Sequence, residues 1–541
     1  LLFLFLVSVY SLLGSRERPW ADANVAYQTA TAMIERHELN VDGLSAPAYF
    51  FVAHGGHKYG IAALGHAAAL VPGRLLYRAL SWFVPAPPDL LLAMSSHVPS
   101  ILLMAGAVAL FYLLCRRRGA TEASGVLLAL MLGLGTMCFV YARSSYAEAL
   151  QTFALLLLVE RSLSQASRMT LPGMVGLGAA AGLLLNAKVF YGLALPVCGG
   201  FVLYGQLVAR PRNLARLALG CGMALLGLAP FIAVMLLHNA VKTGSPLQTG
   251  YETQGAIFSG DMIAALFGYA VSPGKSVFLF SPPLILAIFG WRQAWSRARR
   301  ESVFIVVLIS TLTLANSRFW GWHGDYCWGP RLMVPLSPLL LLLAVPWFND
   351  VLLRGRILAR RMALLALLGG GFSIQLLGSA LYWDHFERVL SEVQGQTGMT
   401  GGWIESQLFF GHFVPQFSPI RGHLWLLQHM ALRDPNLGSD APFTTLVRKK
   451  LNLSDTWSRL RIDWWMEDWW SAEARARVIG VVLLLLLCGG VVVTGRGLLK
   501  ASRQQRAPDG GSIHGDDSAA RGPSPAETVM EQTRVPGERG A

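Results

Sequence analysis

The sequence predicts an all-α polytopic membrane protein, with about twelve transmembrane helices and further helices in its outer loops. Three observations predict it. Only 14% of the 541 residues are charged and 53% are hydrophobic, whereas a soluble domain carries about 25% charged residues. Apolar runs recur from end to end, many near the roughly 20 residues that cross ~30 Å of hydrocarbon. Between them stand short arginine clusters, spaced so that two apolar runs separate each neighbouring pair. A soluble globular domain is thereby excluded.

The net charge of +14 reads as membrane topology and not as a nucleic-acid surface. The clusters are Arg116 to Arg118, Arg161 with Arg168, Arg210 to Arg216, Arg292 to Arg300, Arg354 to Arg361, and Arg496 onward. Cytoplasmic loops concentrate such residues. With every cluster on the cytoplasmic side, the spans read approximately as 1–14, 90–115, 122–142, 145–161, 172–187, 189–208, 214–238, 276–291, 302–316, 332–348, 362–382 and 478–495. The first run is short and is read as a truncated span in preference to a signal-peptide core. The run from Ile61 to Val84 would reverse the topology if it crossed, so it is placed as an outer-face or re-entrant helix.

Four outward loops follow, at 15–89, about 238–275, 317–331 and 383–477. Residues 1–382 form a transmembrane catalytic module that includes the first outer loop. An outer loop region covers 383–477, a last transmembrane helix 478–500, and a cytoplasmic tail 501–541 whose Gly, Ser, Pro and charge predict disorder. Tryptophan pairs at Trp464-Trp465 and Trp469-Trp470 suit an interfacial belt or an aromatic substrate platform. Prolines and aromatics between His412 and His423 predict an ordered lid. The six cysteines show no disulfide or zinc spacing.

Polar residues that a bilayer rejects are the informative ones. Most stand at outer span ends or in outer loops, so the site is expected at the outer membrane face. Asp22 opens a helix after the first span, where it either caps that helix or serves as a general base toward an acceptor hydroxyl. Glu148 starts a span after Arg143. It can act on the acceptor, help hold a divalent metal, or pair with Arg143. Lys188, in a tight hairpin, and Arg331 stand at outer span ends, where such cations bind phosphate or simply snorkel to lipid headgroups. His54, His57, His323 and Asp325 lack the short spacing of zinc ligands, and loop histidines are read as lining an acceptor groove. No cofactor is expected with certainty, although a divalent metal fits. No Walker or GxGxxG loop stands on a βα unit.

These motifs resemble the GT-C superfamily of membrane glycosyltransferases, which includes protein O-mannosyltransferases and lipid A aminoarabinose transferases. The resemblance runs in order from Trp20 to Arg331: Asp22 with Tyr27, His54 to Gly60, Arg143 to Glu148, Asn186-Ala187-Lys188, Asn239 to Tyr251, Ser272 to Pro282, and Trp320 to Arg331. The acid that often follows the catalytic aspartate is absent, with Ala23 and Asn24 in its place. The resemblance implies inverting transfer of a sugar from a polyprenyl-phosphate donor to a hydroxyl of a lipid, glycan or protein. It implies a bacterial inner membrane with the site facing the periplasm. Asp22 and Glu148 would be catalytic, Lys188 and Arg331 would bind the donor phosphate, and Tyr27, His57, Tyr59, His323 and Asp325 would bind substrate. Two alternatives stand beside it: an O-antigen polymerase or ligase acting through its late loop and Arg421, and a lipid or sugar flippase.

Overall fold

The structure, a computed structural model, describes residues 1–208, 213–254, 257–324, 327–354, 358–397, 411–433 and 458–504. The described chain is almost wholly helical. Its helices are α1 (Leu2–Leu12), α2 (Ala21–Glu35), α3 (Leu64–Phe83), α4 (Pro88–Arg117), α5 (Glu122–Gly135), α6 (Cys138–Ala142), α7 (Glu148–Ser167), α8 (Leu171–Ala187), α9 (Ala194–Val208) and α10 (Leu214–Thr243). Then come α11 (Met262–Val271), α12 (Val277–Phe280), α13 (Leu286–Arg297), α14 (Arg299–Arg318), α15 (Ser337–Arg354), α16 (Leu358–Ala380), α17 (Asp384–Thr397), α18 (Pro419–Leu432), α19 (Trp465–Ser471) and α20 (Ala474–Gln504).

Among the described residues seven helical segments are long and apolar enough to cross a membrane: 88–117, 189–208, 214–243, 299–318, 331–352, 358–380 and 474–501. The chain is a multi-pass membrane protein. α1, α5, α8 and α11 are apolar but shorter. The expected span 122–142 is two pieces, α5 and α6, broken at Thr136, and α11 lies inside what the sequence reads as a plain outer loop.

One departure from the all-α expectation is a hairpin, β1 (Phe51–His54) with β2 (His57–Gly60), paired antiparallel. Gly55 and Gly56 close it at φ 60° and 84°. A two-residue turn of this kind needs both central residues at positive φ, which glycine adopts without strain. Helix starts follow local chemistry elsewhere. Thr121 accepts from Ser124 N to cap α5, and Asn213 accepts from Arg216 N to cap α10.

Side-chain bonds define two ends of the bundle. At one end Arg118 Nη1 pairs with Glu301 at 3.1 Å, and Arg117 donates to the Leu163 carbonyl at 2.7 Å. Asn349 Oδ1 accepts from Thr121 N and Ser124 Oγ, each at 3.0 Å, and Arg297 pairs with Asp350 at 2.6 Å. The arginine clusters of α4, α13 and the start of α14 thus gather with the end of α7. At the other end His66 Nε2 meets the Ser145 carbonyl at 2.8 Å, and Lys242 Nζ donates to Ile61 O at 2.9 Å. α3 packs there across α2 and α4 through Tyr27, Ala30, Ala67, Leu70 and Leu92. The run Ile61 to Val84 is therefore a helix of the second end and not one of the seven long apolar segments.

The late region closes that same end. Asp463 Oδ1 accepts from Ser15 Oγ at 2.7 Å and from Arg16 N at 3.0 Å. Arg143 Nη2 donates to Asp463 O at 2.7 Å, Arg143 Nη1 donates to Ser379 O at 3.0 Å, and Arg143 Nε donates to Leu13 O. The indoles of Trp464 and Trp465 donate to carbonyls at the end of α1. Trp465 and Trp469 are buried, Trp465 against the end of α1 and Trp469 against Met94 and Gly480, so neither forms an exposed platform. The disordered-tail expectation lies outside the described residues from 505 onward.

Candidate active site

A cavity of roughly 460 Å³ opens at the second end, and Asp22, Glu148, Lys188 and Arg331 all line it. Four separate segments deliver them: the start of α2, the start of α7, the turn after α8, and the turn before α15.

Asp22 does not cap its helix. Trp20 holds the cap position without a side-chain bond, and Ala21 sits at φ 50°. That left-handed conformation costs an alanine on the order of 1 kcal/mol. Asp22 Oδ1 accepts only from the next amide, Ala23 N, at 3.1 Å among backbone donors. Its carboxylate instead meets Arg331 in a two-pronged pair, Nη2 to Oδ2 at 3.2 Å and Nη1 to Oδ1 at 3.4 Å. The side chains are 34% and 15% exposed, so the pair faces the cavity without being sealed.

Arg331 also reaches Glu148 Oε1 from Nε at 3.8 Å and lies 5.2 Å over the Tyr146 ring. Gly324 makes room for it. At φ 72° glycine alone is unstrained, and a Cβ there would come within 2.7 Å of Arg331 Cγ. Glu148 is buried, and among the described residues its Oε2 has no hydrogen-bond partner. The Arg143–Glu148 pairing considered from the sequence does not form, because Arg143 is committed to Asp463. Lys188 Nζ sits 5.8 Å from the Phe190 ring and 5.7 Å from the Phe319 ring. Among the described residues it makes no ion pair.

None of the other expected substrate residues that the structure describes lines it. Tyr27 is buried between α2 and α3, its ring 6.0 Å from the Arg74 guanidinium. His57 is on the hairpin, 2.6 Å from Asp42, which raises the pKa of the imidazole. Tyr59 lies beside it, the two rings 6.4 Å apart. His323 is buried against Trp322 and His412, and burial with nearby Lys275 pushes its pKa down to about 3. Neutral and enclosed, it does not line the cavity. Asp325 lies outside the described residues. His54 packs against Gly244, and no group of three His, Cys, Asp or Glu suited to a metal occurs among the described residues. The segment from His412 to His423 is ordered, but Ser418 Oγ donates to Pro273 O and His423 packs 4.9 Å from Trp328. It braces the bundle and is not among the residues that line the cavity.

Sequence reasoning missed His66, Gln151, Tyr251, Asn316 and Trp320, which line the cavity too. Gln151 was legible in principle, being an amide inside an apolar run three residues after Glu148.

No family model and no curated protein matches the chain. Among solved structures it is similar to ArnT from Cupriavidus metallidurans bound to undecaprenyl phosphate, at 16% identity and TM-score 0.44, over 94% of this chain and 81% of that one. It is similar to apo ArnT from the same organism at 15% and 0.41, over 90% and 75%. It is similar to the Archaeoglobus fulgidus oligosaccharyltransferase in complex with zinc and sulfate at 12% and 0.41, over 77% and 58%. Both proteins belong to the GT-C superfamily that the sequence motifs resemble.

Proposed function

We propose that the chain is an inverting membrane glycosyltransferase. It moves a sugar from a polyprenyl-phosphate donor to the hydroxyl of a lipid, glycan or protein acceptor. One observation carries this reading: two carboxylates and two cations from four distant segments line one cavity at the bundle end opposite the arginine clusters. Cytoplasmic placement of those clusters puts the cavity on the outer face, and a bacterial inner membrane with about twelve passes is part of the same proposal.

Each residue type suits its part. Asp22 takes the proton of the acceptor hydroxyl as that oxygen attacks the anomeric carbon. The bond from the anomeric carbon to the phosphate oxygen breaks, and its electron pair leaves with the phosphate. Attack from the face opposite the leaving group inverts the centre. Lys188 supplies a point charge to the phosphate and Arg331 a planar fork. Arg331 spans base and phosphate, which fixes their relative position, and Glu148 is the second carboxylate beside it. The apolar wall of Phe190, Leu193 and Phe319 suits an isoprenoid chain.

The test is transfer from polyprenyl-phosphate sugars by purified Asp22→Asn protein. Transfer should fall roughly 10²- to 10⁴-fold, the usual contribution of a general base. Turnover like that of the wild type removes Asp22 from this role. The polymerase or ligase alternative gains nothing from the geometry, because Arg421 is exposed on α18 and does not line the cavity.

A further inference from the structure

Glu148 and Gln151 stand three residues apart at the start of α7, and both line the cavity. Residues at that spacing share a helix face. Glu148 is 4% exposed, its Oε2 has no hydrogen-bond partner among the described residues, and its Oε1 lies 3.8 Å from Arg331 Nε. A buried carboxylate oxygen without a donor is costly to maintain. Gln151 is buried as well, and its Oε1 accepts from Tyr191 OH at 3.3 Å. That bond leaves the Gln151 amide nitrogen as a donor. This wall of the cavity thus offers one charged acceptor and one amide donor.

A phosphate cannot use the acceptor, since both are anionic and repel. Hydroxyl groups can use both, because a hydroxyl donates one hydrogen bond and accepts others. The position fits a glycosyl phosphate. Arg331 lies between Asp22 and Glu148, so a sugar against Glu148 adjoins a phosphate held by Arg331 and Lys188.

We infer that Glu148 and Gln151 form the donor-sugar subsite, with hydroxyls of the lipid-linked sugar donating to Glu148 and accepting from Gln151, and that this pair sets which sugar is taken. The inference rests on the reading that the cavity holds a polyprenyl-phosphate sugar.

The experiment is equilibrium binding to the full chain in lipid nanodiscs. The probes are undecaprenyl phosphate alone and undecaprenyl phosphate carrying a neutral hexose, an N-acetylhexosamine or a pentose. One sugar conjugate should bind roughly tenfold or more tighter than the bare lipid, as a hydrogen bond to a buried charged group supports. Glu148→Gln and Gln151→Leu should each remove most of that gain while bare-lipid binding persists, tighter if anything in Glu148→Gln because a charge that repels the phosphate is gone; retained bare-lipid binding also reports that the variants fold. A gain that persists in both variants, or no gain with any sugar in the wild type, overturns the inference. Failure of the phosphate site reads differently, as full bare-lipid affinity in Lys188→Met.

Discussion

Two arginine–aspartate pairs stand at the same end of the bundle, and they are built for opposite ends. In the pair of Arg143 with Asp463, the side chains are 4% and 6% exposed, and the guanidinium also donates to three backbone carbonyls. In the pair of Arg331 with Asp22 the side chains open onto a cavity, and Arg331 Nε has no hydrogen bond. A saturated pair can do nothing but hold segments together. An unsaturated pair has capacity left for a ligand. The sealed pair is a joint and the open one a site.

Substitutions test that contrast. The largest effects are expected from Asp22→Asn, with transfer down roughly 10²- to 10⁴-fold and thermal stability in detergent little changed. Arg143→Ala should do the reverse. It strands a buried carboxylate and should cost about 3–5 kcal/mol of stability, read as a lowered melting midpoint, and activity should follow only through the loss of folded protein. If Arg143→Ala protein melted normally and had lost transfer, the joint would belong to the site.

A smaller effect concerns Glu17, which lines a pocket with Arg143 and Asp463. Burial, reinforced by Asp463, raises its pKa from 4.5 to about 7. The folded state then binds the proton more tightly than the unfolded chain. Stability is greatest below about pH 4.5, falls as pH rises toward 7, and levels off above it. From this group the fall should be on the order of 1–2 kcal/mol. Melting midpoints of Glu17→Gln, compared with wild type at pH 5 and pH 8, should lack that part of the slope. An unchanged slope would show that Glu17 titrates normally. The smallest effect is expected from Arg421→Ala, which should leave both transfer and melting within the ~0.5 kcal/mol scatter of surface changes. Loss of transfer there would move the chemistry to the late region.

The four charged cavity residues were legible because charge at the end of an apolar run is expensive unless used. Their side chains needed no geometry to be noticed. Tyr27, His57 and His323 fall outside the cavity for the converse reason. Aromatic and histidine side chains in loops pack or pair as readily as they bind, and only contacts separate the outcomes. The Arg143–Asp463 joint was invisible because its partners are 320 residues apart and three of its acceptors are carbonyls. The hairpin was passed over because its two strands are four residues each. The capping role weighed for Asp22 failed because a turn at Ala21 with positive φ redirects the carboxylate, a tertiary effect that local spacing does not encode.

The clamp of Trp464 and Trp465 on the carbonyls ending α1 has a bearing on biogenesis. Chains emerge from the ribosome amino terminus first, so the earliest helix inserts long before its fastener exists. Until residues 463–469 are translated and folded, Arg143 lacks its counter-ion and the loop bearing Asp22 is untethered. Assembly of the cavity is therefore among the last events of maturation, and a product halted upstream of Asp463 would carry all four cavity charges while lacking the piece that fastens them.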